Sequence, residues 1–133
     1  MPTTDSTYAI SRTTALDFAD AVSAARTALA GEGFGVLCEI DVQATLREKL
    51  GAEREPYVIL GACNPPLAHQ ALETDPQIGV LLPCNVVVYV EDGTTHVAAI
   101  DAAVMLGVVG SAELEPIAAD VRGRLERVVE AIG

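Results

Sequence analysis

The chain has 133 residues, of which half are apolar, and a formal net charge of -11. This length predicts a single domain over residues 1–133, with a core large enough to fold without metal or disulfide staples. The charge argues against a nucleic-acid partner, because phosphate binding depends on clustered Lys and Arg side chains that release counterions.

The cysteines and the uncharged segments bear on the compartment. Cys38, Cys63 and Cys84 are odd in number and lack the close paired spacing of a zinc ribbon or a redox dithiol. Free thiols are typical of a reducing cytoplasm, so we expect a cytoplasmic protein. The first ten residues show no secretory signal pattern, and prolines interrupt the long uncharged stretches, so no membrane partner is expected.

The first third of the chain predicts strand, helix, strand and short helix. Residues 7–13 alternate as a strand, and Thr14 followed by Asp17 offers an N-cap and an acidic first turn for a helix that glycines end near residue 31. Residues 35–41 alternate as a second strand, and Asp41 can cap a short helix that ends at Gly51. The apolar stripe of the first helix includes Leu16, Ala19, Val22 and Leu29, and the second strand places Val36, Cys38 and Ile40 on one side.

The rest of the chain predicts three strands and a closing helix. Residues 57–62 form a strand, Asn64 caps a helix over residues 66–72, and the β-branched run at residues 85–90 forms a strand that is buried on both faces. Residues 91–93 carry a hairpin turn signature, and residues 95–100 return as a strand. A helical turn follows at residues 102–106. The closing helix carries apolar residues at helical spacing, namely Leu114, Ile117, Ala118, Val121, Leu125, Val128 and Ile132.

The order of elements predicts an α+β fold of strand, helix, several strands and helix, with an antiparallel-rich sheet and helices on one face. Two long helices cover one sheet face, yet both faces carry apolar residues. Short helices and loops are one possible cover for the second face. A second copy of the chain is the interpretation we favour, since a large exposed apolar patch is rare on a monomer. The expected partner is therefore another copy of this chain in a homodimer.

Several segments resemble the domain-of-unknown-function family 302. They are GACNPPLAHQAL at residues 61–72, IGVLLPCNVVVY at residues 78–89, the EDG turn, and the stretch at residues 101–105. The resemblance runs from about residue 8 to residue 120 in order and spacing. It implies a small bacterial or archaeal domain, similar to the TATA-box-binding-protein-like folds and commonly dimeric. It implies no established reaction, and no cofactor is identified.

The candidate site lies at the ends of two strands. If the strands at residues 57–63 and 84–90 are antiparallel neighbours, Cys63 and Cys84 lie at one edge of the sheet. Asn64 and Asn85 directly follow them, and His69 lies on the adjoining helix. The N–H groups at that helix start would lower a thiol pKa or hold an anion. In the plainer interpretation, the cysteines are small buried hydrophobes and the asparagines cap turns.

Three functions from different classes remain open. The first is a dimeric module that holds a small ligand or a partner among these five residues. The second is a thiol, sulfur-handling or soft-metal protein, because thiolate and imidazole suit zinc or Cu(I). The third is an enzyme of unknown class. No residue is assigned as catalytic or as a metal ligand, and the acidic residues near the turns, including Asp101, are interpreted as turn formers and solvated charges.

Overall fold

The structure, a computed structural model, describes residues 4–133. Its strands are β1 (Thr4–Asp5), β2 (Ala9–Thr14), β3 (Gly35–Asp41), β4 (Tyr57–Cys63), β5 (Cys84–Glu91) and β6 (Thr94–Ile100). Its helices are α1 (Phe18–Gly31), α2 (Val42–Leu50), α3 (Pro65–Thr74), α4 (Ala102–Gly107) and α5 (Glu115–Ala131), with 3₁₀ turns at Pro76–Leu81 and Ala112–Leu114. Within this part of the chain, no helix is both long and apolar enough to cross a membrane.

The strands form one antiparallel sheet in the order β1-β2-β6-β5-β4-β3. The core lies between this sheet and the two long helices, α1 and α5, which pack on the same face. The predicted α+β class and the helices on one face are therefore confirmed. The predicted apolar residues of α5 are all buried, from Leu114 to Ile132.

Helix α1 begins later than the sequence predicts. The N-cap is Asp17, whose carboxylate accepts a hydrogen bond from the Asp20 N–H at 2.8 Å, and not Thr14. Thr14 is still in β2, where its backbone pairs opposite Thr95. Ala19, which we expected on the buried stripe, is exposed. The residues that α1 buries are Ala21, Ala25 and Leu29.

Strand β3 lies at one edge of the sheet, and a β-bulge changes the direction of its side chains. The pairing with β4 shifts between Val36 and Cys38, so Leu37 is the extra residue. Val36 packs against the core, whereas Cys38 and Ile40 are exposed on the other side. The prediction that these three side chains share one side is therefore wrong, because strict alternation fails across a bulge.

Strand β5 is buried on one face and not on both. Val86 and Val88 are fully buried under the helices, while Val87 and Tyr89 are half-buried and Asn85 is exposed on the opposite face. We call that opposite face the open face. The sequence overestimated burial here because valine fits a half-exposed strand position as well as a buried one.

Asp101 is a buried anchor and not a solvated charge. Its carboxylate caps α4 by accepting from the Ala103 N–H at 3.0 Å, and it pairs with the Arg122 guanidinium of α5 at 3.2 Å. Only 7% of Asp101 is exposed, which contradicts the solvated interpretation. A carboxylate buried to this extent needs such partners, and here they join α4 to α5.

Candidate functional site

The end of β4 and the start of α3 form one wall of the site. Asn64 caps α3 as predicted, because its side-chain oxygen accepts from the Leu67 N–H at 3.3 Å and Pro65 occupies the first helical position. The side-chain nitrogen of Asn64 lies 3.5 Å from the Glu32 carbonyl oxygen. Both ends of the amide are therefore engaged within the protein.

The Glu32 carbonyl connects three elements. It also accepts from the Arg124 guanidinium at 2.7 Å, which attaches α5 to the turn between α1 and β3. Gly33 follows with φ +85°, and a Cβ there would lie 3.0 Å from the Asn64 amide nitrogen. These contacts give Asn64 a capping and anchoring role.

The antiparallel pairing of β4 with β5 brings the two predicted cysteines to one sheet edge. Ala62 lies opposite Cys84, so Cys63 is one position beyond the paired residue. Cys84 faces the helices and is 6% exposed, while Cys63 is half-buried. Side chains alternate along a strand, so this register does not itself point the two thiols at each other, although both residues line the same cavity.

Asn85 and His69 lie apart from the cysteines. Asn85 is exposed and lines a groove on the open face, because side chains alternate along β5. The His69 imidazole is 74% exposed on α3, with its Nε2 atom 3.9 Å from a Glu73 carboxylate oxygen. The five predicted site residues therefore divide into Cys63, Asn64 and Cys84 on one side and two separate surface residues.

Cys63, Asn64 and Cys84 line a cavity of about 200 Å³. It lies between the strand ends and three helices, and a further wall comes from the segment at residues 78–84. The lining residues are almost all apolar, and none of them carries a formal charge. The lining residues include Leu67 and Ala71 of α3, Ile78, Met105 of α4 and Val121 of α5.

The Cys84 thiol is not activated. Burial, with a smaller contribution from the neighbouring Cys63, raises the pKa of Cys84 to about 11. The hypothesis that the helix start lowers a thiol pKa is therefore wrong for Cys84, which is neutral near pH 7. Cys38 is the exposed cysteine, and it lies on the open face of β3.

The open face carries an aromatic row that the sequence analysis missed. The rings of Tyr57 and Tyr89 stack with centroids 5.2 Å apart, and Tyr89 stacks on His96 at 4.8 Å. The Arg54 guanidinium lies over Tyr57 at 5.0 Å. The hairpin turn held the signal for part of this row, since pairing Glu91 with Thr94 places Tyr89 opposite His96.

Comparison with known proteins agrees with the fold. A model of the family described as "Domain of unknown function DUF302" matches residues 10–132. The chain is similar to the crystal structure of an uncharacterized conserved protein DUF302 from Bacillus stearothermophilus, with a TM-score of 0.90 and 31% sequence identity. That match covers 96% of this chain and 100% of the other. No protein with a curated description matches the chain.

Proposed function

This chain belongs to the DUF302 family, and we propose that it is a homodimeric module that binds a small apolar molecule in the cavity beneath α3. The observation that carries this proposal is the cavity itself. Its volume of about 200 Å³ is bounded by side chains without formal charge. An engineered apolar cavity of about 150 Å³ stays dry and binds benzene or xenon, so the size here suits a single ring or a short branched alkyl group.

The polar groups at the wall favour an uncharged ligand. The Asn64 amide is already engaged with Leu67 and Glu32, and the Cys84 thiol is neutral. A carboxylate or ammonium group would therefore lose its hydration without gaining a partner in the cavity. The module would accept an apolar molecule, or the apolar end of a larger one.

The direct test uses toluene as the probe, followed in two-dimensional NMR spectra of isotope-labelled protein. We expect saturable shifts in the methyl signals of Ala71, Met105 and Val121. Ala71→Leu fills the cavity with extra methyl groups and should abolish the shifts. Ala30→Leu, the same change at an exposed position of α1, should preserve them. Shifts that survive Ala71→Leu would show that toluene binds elsewhere.

The homodimer part of the proposal is supported by the exposed apolar residues near β3. Ile40 is 45% exposed on the open face, and Ile59 and Val87 continue this apolar surface across it. The helices lie on the other face, and β3 is an unpaired edge. A second copy that covers the β3 side of the open face would remove this surface from water.

Sedimentation at micromolar concentration tests the dimer independently of the cavity. The wild-type chain is expected to sediment as a dimer, and Ile40→Glu as a monomer, because the substitution buries a charge in the proposed interface. Val108→Glu makes the same change at a position that is 80% exposed and away from β3, so it should remain dimeric. A wild-type monomer would refute the dimer and leave the toluene result to decide the cavity.

A further inference from the structure

The cavity beneath α3 opens to solvent beside two leucines. Leu37 of β3 and Leu72 of α3 both line it, although they are 69% and 39% exposed. Other lining residues are buried, among them Ala71, Ile78 and Ile117. The exposed pair therefore marks the mouth of the cavity, and the buried residues form its interior. Single exposed leucines are ordinary on a protein surface, but these two extend one apolar surface from the interior to the rim.

The β-bulge places Leu37 at this mouth. In a regular strand, Leu37 would alternate with Val36, which packs against the core, and would lie on the open face. The register shift between Val36 and Cys38 makes Leu37 the extra residue, and its side chain lines the cavity instead. Bulges are frequent beside functional sites, where they re-aim a side chain. Here the bulge supplies an apolar side chain at the mouth of the cavity.

The cavity offers no free partner for a polar head group. None of the described residues that line it carries a formal charge. The Asn64 side chain, which is 8% exposed, engages both ends of its amide within the protein. The Cys84 thiol is buried, and its raised pKa keeps it neutral near pH 7. The polar part of a ligand would therefore stay in water beyond the rim.

We propose that the ligand is an uncharged amphiphile with a linear alkyl chain, and that this chain leaves the cavity across Leu37. The inference rests on the proposed function and names its ligand class. An engineered cavity of about 150 Å³ is filled by benzene. A ring that fills the interior here, of about 200 Å³, would leave Leu37 in water, whereas a linear chain can fill the interior and also cover Leu37. The net charge of -11 disfavours an anionic head group.

Leu37 is accordingly a specificity-determining residue that favours chains long enough to reach it. Titrations with 1-butanol, 1-hexanol and 1-octanol, followed by NMR, test this role. Each methylene group that is removed from water should raise the affinity about fourfold. Leu37→Ser should weaken 1-octanol binding by about tenfold and change toluene binding by less than about twofold, because only the longer ligand reaches the mouth. Leu50→Ser makes the same change at a leucine of α2 that is 75% exposed and does not line the cavity, so it should alter neither affinity.

Nuclear Overhauser effects between 1-octanol and the protein methyl groups test the orientation of the chain in the wild-type protein. We expect contacts from the terminal methyl group of 1-octanol to Ile78 and Ile117, and from its hydroxyl-bearing methylene group to Leu37. The reverse pattern, or equal contacts from both ends to Ile78, would overturn the proposal.

The outcomes separate this proposal from the proposed function. Toluene shifts that Ala71→Leu abolishes, together with 1-octanol binding that Leu37→Ser leaves unchanged, would overturn the amphiphile and retain the cavity as a site for a compact apolar molecule. Binding of 1-octanol that persists in Ala71→Leu would also overturn it, because the alcohol would then bind elsewhere. A protein that binds neither toluene nor 1-octanol would refute both proposals.

Discussion

The covered face and the open face of the sheet carry similar side chains in very different surroundings. On β4, Leu60 is fully buried under the helices, while the preceding residue, Ile59, is half-buried on the open face. On β5, Val88 and Val87 differ in the same way. Burial is therefore determined by the layer of helices that covers one face of the sheet, and not by the residue type alone. This difference also separates the cavity, on the covered face, from the proposed interface, on the open face.

The largest expected difference in stability is between truncating a side chain on the covered face and truncating one on the open face. Leu60→Ala should lower the free energy of unfolding by about 3 kcal/mol, because it leaves a cavity in the packed core. In the Ile40→Glu background, where the open face is bare, Ile59→Ala should cost about 1 kcal/mol. Urea denaturation of each variant and its parent protein gives the two losses in the free energy of unfolding. If Ile59→Ala cost as much as Leu60→Ala in the Ile40→Glu background, the open face would be covered within the single chain.

The next effect compares a cysteine on each face. Folding raises the pKa of Cys84 from 9.0 to about 11, so the stability from its neutral thiol is present below pH 9 and is lost as the pH rises through 11. This loss should reach about 2–3 kcal/mol, since each pKa unit corresponds to about 1.4 kcal/mol. Cys84→Ala should flatten that part of the stability curve, and Cys38→Ala on the open face should not. An unchanged curve for Cys84→Ala would place that thiol in contact with water.

A smaller effect is expected where the open face allows a close approach. A Cβ at Gly61 would lie 2.6 Å from the Cys38 sulfur and 3.0 Å from a Pro83 ring carbon, so Gly61→Ala should cost about 1–2 kcal/mol. Gly35→Ala has nothing within 4 Å and should change stability by less than about 0.5 kcal/mol. Thermal unfolding measures both. Adding Cys38→Ala to Gly61→Ala should recover part of the lost stability. If no stability is recovered, the new methyl group clashes with Pro83 and not with Cys38.

The smallest effect concerns the aromatic row. A double-mutant cycle with Tyr57→Leu and Tyr89→Leu should give a coupling energy of about 0.5–1 kcal/mol, because the two rings stack across the strands. Tyr8 lines the same groove but does not stack on Tyr89, so its coupling to Tyr89 should be smaller than that of Tyr57. A zero value for the first pair would mean that the stack adds nothing beyond the burial of each ring.

Much of the fold could be predicted because local signals agreed with it. β3 spans residues 35–41 as expected, Asp41 and Gly51 bound α2, and Asn64 caps α3. The hairpin at Asp92 also agrees, since both Asp92 and Gly93 have positive φ. These features depend on neighbours in sequence. The bulge at Leu37 and the retention of Thr14 in β2, which delays the start of α1, depend on pairing with other strands, so local patterns did not reveal them.

The candidate site was predictable only in part for the same reason. Antiparallel pairing was sufficient to place Cys63 and Cys84 at the same edge of the sheet. The alternation of side chains on β5 separates Asn85 from Cys84, and that rule was available in the sequence. The cavity could not be predicted from the sequence, because its walls come from residues on three different helices, namely Leu67, Met105 and Val121. Empty space between distant elements has no local signature.

Native mass spectrometry of the freshly purified, reduced protein tests the central claim most directly. We expect the wild-type protein to be a dimer that carries an added small-molecule mass, and Ala71→Leu to be a dimer without that mass. Bare chains in every variant, or an added mass that persists in Ala71→Leu, would contradict the claim that the cavity beneath α3 is a binding site.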